Sequence, residues 1–199
     1  MFKLKLTNKS VCVFGLPDSG KSTLVNYIIS AMGARVFVWD TLSEYPLNQV
    51  YSVYRPENRT DLKEFDFVIR KALINPQFTM IVIDEANRYA PSKPSPLPQV
   101  LADLNDWHAH YSKSVLYVSR RPSQLNQDLS ELSNYFFIFK LPGSNDTDKL
   151  DSISKGLGYA VTKLKPYWYT FVDHDRSFRL MKPVPAKYAT HKQLLAPIA

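Results

Sequence analysis

One octet restricts this chain more than anything else in it: Gly15-Leu16-Pro17-Asp18-Ser19-Gly20-Lys21-Ser22. Ahead of it, Ser10 to Phe14 is a short apolar, β-branched run that reads as a buried strand. Behind it, Leu24, Val25, Ile28, Ile29 and Met32 recur at three- and four-residue spacing, so Lys21 to Met32 reads as an amphipathic helix with Gly33 as its C-terminal cap. The octet therefore satisfies G-x-x-x-x-G-K-[ST] in the strand–loop–helix context that gives the pattern meaning. Glycines let the backbone curl until successive amide N–H groups face one point, and the helix start adds its positive dipole end. By chance such a match arises on the order of once in a hundred chains of this length. The segment predicts a nucleotide site in which the Gly15–Ser22 amides surround the phosphates. Lys21 then reaches the β- and γ-phosphates, the Ser22 hydroxyl serves Mg²⁺, and Thr23 faces the α-phosphate.

Strand and helix signals alternate along the rest of the chain. Ala34 to Trp39, Tyr51 to Arg55, Phe78 to Ile83, Ser114 to Ser119 and Tyr135 to Lys140 read as strands. Asp61 to Ile74, Gln99 to Tyr111 and Asp146 to Gly156 read as helices, the last starting from an Asn145 or Asp146 cap, and Gln124 to Ser133 as a helix or helical turn. Such alternation predicts an α/β fold with a mostly parallel sheet covered on both faces. Tyr167 to Val172 and Phe178 to Met181, flanking Asp173-His174-Asp175-Arg176, read as a C-terminal β-hairpin. Between the strand Phe78 to Ile83 and the helix from Gln99, Pro91, Pro94, Pro96 and Pro98 make a stiff loop. At 199 residues the expectation is one domain, its core spanning about 10–160 and its hairpin and tail about 161–199.

Composition excludes several classes. With 45% hydrophobic and 22% charged residues the chain can build a sizeable core, so it is neither disordered nor a disulfide miniature. Cys12 is the single cysteine and implies no oxidising compartment. No apolar run approaches the roughly 20 residues of a membrane helix. The N-terminal MFKLKLTNKSV alternates Lys with apolar residues and lacks the core of a signal peptide, so a cytosolic protein is expected. An excess of 25 Lys and Arg over 18 Asp and Glu, +7 in all, favours polyanionic partners.

The apolar run Thr79 to Ile83 ends in Asp84-Glu85. A parallel strand closing on a carboxylate delivers Asp84 to the sheet edge beside the phosphate loop, where it can hold Mg²⁺ through water. Glu85, one position on, can accept the proton of an attacking water. Two adjacent acids favour hydrolysis over phosphotransfer to a small acceptor.

At Trp39-Asp40-Thr41-Leu42-Ser43-Glu44-Tyr45 the chain resembles the D-x-x-x-E-Y segment of HerA-type ATPases, and Ser119-Arg120-Arg121-Pro122-Ser123 is similar to the sensor segment T-Q-R-P-S of FtsK-type translocases. Phosphate loop, D-x-x-x-E-Y, acidic pair and R-P-S follow the family's order over residues 11 to 123. In its short length the chain looks most like the genome-packaging ATPases of membrane-containing icosahedral double-stranded DNA viruses. The resemblance implies a RecA-like P-loop core of the ASCE class and ATP with Mg²⁺ as ligands. It also implies a homo-oligomeric ring, hexamer or pentamer, with double-stranded DNA as the moved substrate. A capsid vertex or viral membrane protein follows as docking partner, and the host cytoplasm or the virion as location. Where the family carries Gln, this chain has Arg120, which can sense the γ-phosphate and add positive charge to it. Where the family often carries an arginine, just ahead of the strand Ser114 to Ser119, the stretch Trp107 to Lys113 has none, so an arginine finger acting in trans is open among Arg88, Arg120 and Arg121.

Two other readings are kept: a small nucleoside or metabolite kinase, and a nucleotide-dependent assembly switch with little turnover. The first needs an acceptor pocket and a lid, and Asp84-Glu85 with the R-P-S segment argues against it. GTP is disfavoured because no N-K-x-D segment occurs. His108 and His110, two apart on a helix, face different sides and make poor metal partners. Tyr167, Trp168, Tyr169 and Phe171 are expected in the core or at a subunit contact, in preference to stacking on nucleic acid. Lys149, Lys155, Lys163 and Lys165 are expected on solvated faces.

Overall fold

The computed structural model describes residues 6–47 and 51–189; the start of the N-terminal stretch and the last ten residues of the tail lie outside the described residues. Along the chain run β1 (Ser10–Phe14), α1 (Lys21–Ser30), β2 (Val36–Trp39), β3 (Ser52–Tyr54), α2 (Leu62–Ile74), β4 (Met80–Ile83), α3 (Ala86–Tyr89), α4 (Gln99–Trp107), β5 (Ser114–Ser119), α5 (Gln127–Glu131), β6 (Tyr135–Phe139), α6 (Ser144–Ile153), α7 (Leu157–Thr162), β7 (Tyr169–Val172) and β8 (Phe178–Met181). The strands form one eight-stranded sheet in the order β3-β2-β4-β5-β1-β6-β7-β8. Pairings from β3 to β6 are parallel, and β7 and β8 join antiparallel as a hairpin.

Covering both faces explains why the central strands are buried at every position and apolar at nearly all of them. Val11 and Val13 of β1 pack with Val38, Val82, Leu116 and Val118 against Leu24, Val25, Ile28 and Ile29 of α1. Cys12 and Phe14 face the other side, with Trp39, Ile81, Tyr117 and the apolar stripes of α2 and α4. Burial pushes the Cys12 thiol up to about 12, so it behaves as a small apolar group. Trp39, Phe65 and Tyr89 interlock on that second face: Phe65 and Tyr89 stack at 4.2 Å, and Trp39 meets both rings edge-on at 5.1 and 5.6 Å.

Element ends differ from the sequence expectation where local hydrogen bonding decides them. The run Ala34 to Trp39 begins as a 3-10 turn over Gly33–Arg35 and becomes a strand only at Val36. Helix α2 starts because the Asp61 carboxylate accepts from the amides of Lys63 and Glu64. Helix α4 stops at Trp107, and of Gln124 to Ser133 only Gln127–Glu131 forms an α-helix, the short α5, after a 3-10 turn over Pro122–Gln124. Neither Asn145 nor Asp146 caps α6: Gly143 precedes it, and the Asp146 carboxylate accepts from Ser123 Oγ at 2.7 Å.

The six-residue α7 was not expected. It exists because Gly156 turns the chain at φ 82° and Gly158 lies against α6. A Cβ on Gly158 would come within 2.5 Å of the Thr147 carbonyl oxygen. Gly158→Ala is therefore expected to destabilise the chain by about 1–3 kcal/mol in a denaturant titration; an unchanged midpoint would show that the two helices part freely. No helix among the described residues is long and apolar enough to cross a membrane.

Candidate functional site

Parallel pairing brings the carboxyl ends of β1, β4 and β5 to one edge of the sheet, and the site is the cleft at that edge. It is lined by the loop from Pro17 to Thr23, by Leu42 and Glu44 after β2, by Asp84 and Glu85 after β4, by Arg120 after β5, and by Tyr167 and Ala189. The loop leaves β1 with the Gly15 amide donating to the Ser119 carbonyl at 3.3 Å. A Cβ at Gly15 would stand 2.5 Å from Ser19 Oγ and 2.8 Å from Phe139 Cβ, so only glycine permits this close packing. Positive φ at Asp18 and Gly20 completes the curl, and α1 begins at Lys21. Across the loop Lys21 Nζ donates to the Leu16 carbonyl at 3.0 Å. Burial pushes the Lys21 ammonium below its ordinary range, while Glu44, Asp84 and Glu85 pull it back. Ser22 Oγ donates to Glu44 Oε2.

Asp84 is buried at the end of β4, where its amide donates to the Trp39 carbonyl at 3.0 Å. Its Oδ2 has no hydrogen-bond partner among the described residues. Burial drives this carboxyl well above the usual carboxylate range, and the charges of Glu44, Glu85 and Asp40 add to that; Lys21 opposes. Glu85 sits in the left-handed region, φ 51° and ψ 43°. Arg120 Nε is 3.1 Å from each of its carboxylate oxygens, and Arg88 Nε is 3.8 Å from Oε2. Three carboxylates thus crowd one edge, with an orphaned buried oxygen on Asp84. Among the described residues no group of three His, Cys, Asp or Glu side chains could hold a metal ion by itself. A cation shared between Ser22, Asp84 and bound phosphates needs no such cage, and the orphaned oxygen with its repelling neighbours fits that demand.

Of the predicted residues, the structure brings Pro17, Asp18, Gly20, Lys21, Ser22, Thr23, Asp84, Glu85 and Arg120 onto one cleft. Arg88 lies behind Glu85, and Arg121 turns away, its Nε 3.8 Å from Asp146 Oδ2 near α6. His108 Nδ1 is 2.9 Å from the Asn105 carbonyl, outside the cleft. The aromatic series splits: Tyr169 and Phe171 are in the core, and Tyr167 is exposed on the cleft.

Glu44 went unassigned in the sequence although D-x-x-x-E-Y contains it. The Asp40 carboxylate accepts from the Glu44 amide at 2.9 Å and the Tyr45 amide at 3.2 Å, and Arg55 Nε braces it at 3.1 Å. Thr41 Oγ1 ties the same turn to the Asp84 carbonyl at 2.7 Å. The motif's spacing is thus the signal: a carboxylate that caps its own turn aims the second acid at Ser22. Nothing local marks Leu42, Tyr167 or Ala189.

No protein-family model and no curated protein matches the sequence. Solved structures do match the fold. The genome packaging NTPase B204 of Sulfolobus turreted icosahedral virus 2, in complex with ATPγS, aligns with a TM-score of 0.78 at 17% identity over 89% of this chain and 98% of that one. B204 of Sulfolobus turreted icosahedral virus, a DNA-packaging ATPase, gives 0.79 at 16% identity over 91% and 100%. The fold is that of a RecA-like P-loop ATPase. The pCW3 conjugation coupling protein TcpA shares it, with a TM-score of 0.65 at 11% identity over 87% of this chain and 59% of that one. The loop after β1 and the acids after β4, with β5 between the two strands, open at the carboxyl edge of the sheet, the edge at which open α/β sheets bind ligands.

Proposed function

We propose that this chain is an ATP-hydrolysing motor that moves double-stranded DNA, of the kind that packages a viral genome into a preformed capsid. The observation carrying the reading is the convergence of Pro17, Asp18, Gly20, Lys21 and Ser22 of the loop with Asp84 and Glu85 on one cleft. The fold shared with B204 and TcpA and the +7 charge support it further. In this reading the loop amides and Lys21 hold the phosphates, with Thr23 on the α-phosphate side. Ser22 and Asp84 would hold Mg²⁺, which when bound neutralises charge on the phosphates. Ser22 must then release Glu44, and Glu85 must release Arg120 to take the proton of the attacking water. Arg120, freed, turns its charge to the γ-phosphate. Arg88, Arg120 and Arg121 all remain candidates for a finger reaching a neighbour's site. A ring of copies, hexameric or pentameric, would couple hydrolysis to DNA movement through its subunit interfaces, docked on a capsid vertex or viral membrane protein.

The test is the ATPase rate against protein concentration, with and without double-stranded DNA. The expected outcome is a rate per chain that rises with concentration and rises further with DNA, the DNA effect weakening in high salt. Turnover that ignores DNA but needs a small hydroxyl acceptor would replace the motor with a kinase. Stoichiometric binding with negligible turnover in DNA-bound rings would replace it with a switch.

A further inference from the structure

We propose that Tyr167 is the platform on which the base of the bound nucleotide stacks. The inference rests on the nucleotide reading above and adds the subsite for the base. Tyr167 occupies the third position of a Lys165–Trp168 turn closed by the Trp168 amide on the Lys165 carbonyl at 3.1 Å. Pro166 stands second, and Tyr167 has φ 65°. That is the pattern of a type II turn, whose third position favours glycine or asparagine and disfavours a bulky ring. Strained residues of this kind persist where the side chain serves a site.

The ring has no packing reason to be there. Tyr169 and Phe171, the next residues facing inward on β7, are buried, whereas Tyr167 is 58% exposed. Its Cδ1 lies 3.5 Å from where a Cβ on Gly20 would stand, so the ring stands over the turn into α1. The sheet order gives the polarity of the cleft. The acids that act on the γ-phosphate follow β4, on one side of β1, while β6 and β7 lie on the other. A triphosphate with its γ end at Asp84 and Glu85 runs its base toward the β7 side, where Tyr167 waits. Ala189 also lines the cleft, held by a C-terminal segment anchored to α1: Asn26 Nδ2 donates to the Tyr188 carbonyl at 2.9 Å, and the Tyr27 and Tyr188 rings meet at 4.8 Å. A flat aromatic face beside a phosphate cradle suits any nucleobase, since stacking is tolerant of base identity.

The experiment measures, by calorimetric titration of the full chain with Mg²⁺ present, affinity for a non-hydrolysable ATP analogue and for inorganic tripolyphosphate. It compares the unaltered chain with Tyr167→Gly and Tyr167→Phe, and follows the melting temperature and oligomer mass of each. Tyr167→Gly is expected to weaken the analogue about tenfold, to leave tripolyphosphate unchanged, and to melt no lower than the parent. Tyr167→Phe keeps the ring and is expected to bind within about twofold of the parent. Equal loss for both probes would make Tyr167 a shaper of the phosphate loop and overturn the platform. So would undiminished analogue binding, with or without a change in oligomer mass. If the unaltered chain binds neither probe, the nucleotide reading itself falls, and the platform with it.

Discussion

Lys21→Ala and Glu85→Gln should both silence ATP turnover, but for separable reasons. Among the described residues Lys21 is the one lysine that lines the cleft, held there by the Leu16 carbonyl and partly buried among three carboxylates. Removing it deletes a direct attraction for a polyphosphate and takes one positive charge from a cleft that keeps Glu44, Asp84 and the Arg120-paired Glu85, so ATP affinity should fall roughly a hundredfold. Glu85 touches no phosphate in the proposed mechanism. Glutamine has the same shape, can still meet Arg120, and lowers the negative charge of the cleft by one, so ATP binding should be kept or slightly tightened. Turnover should drop by roughly 10²–10⁴ because the proton acceptor is gone. Filter binding of labelled ATP and a phosphate-release assay on the same samples read the two effects apart. A comparable loss of ATP affinity in both variants would sink the assignment of roles.

Trp39→Ala should cost about 3–5 kcal/mol of stability, a large share of the 5–15 kcal/mol that holds a domain together. The indole is fully buried, stacks on Tyr54 at 5.3 Å and meets Phe65 and Tyr89 edge-on, so three rings lose a partner and a large cavity opens. The damage should reach the site as well. Trp39 is the last residue of β2, its carbonyl accepts the Asp84 amide, and the Asp40–Glu44 turn follows it directly. Thermal unfolding followed by circular dichroism should show the midpoint lowered by roughly 6–20 °C. A loss under about 1 kcal/mol would mean that the rings repack and that the aromatic cluster does not brace the cleft.

Local chemistry determined much of this protein by itself. A β-branched run, a glycine-bounded loop and a 3.6-residue apolar period fix β1, the phosphate loop and α1, because each depends only on neighbours in the chain. The apolar run into Asp84 and Glu85 was legible for the same reason, as was the hairpin of β7 and β8. The break at Gly156 was visible, yet α7 depends on the approach of Gly158 to Thr147, a contact between helices that no short window encodes. The pairing of Arg120 with Glu85 joins positions 35 apart in sequence, and Tyr167 reaches Gly20 from the far end of the chain. Those meetings exist only because β5 inserts between β4 and β1, and because β7 joins the sheet beyond β6. Residue types and their spacing decide which segments can bind phosphate; which distant side chains join them is settled by strand order and by burial of both sheet faces, since these alone bring remote backbone ends to a common edge.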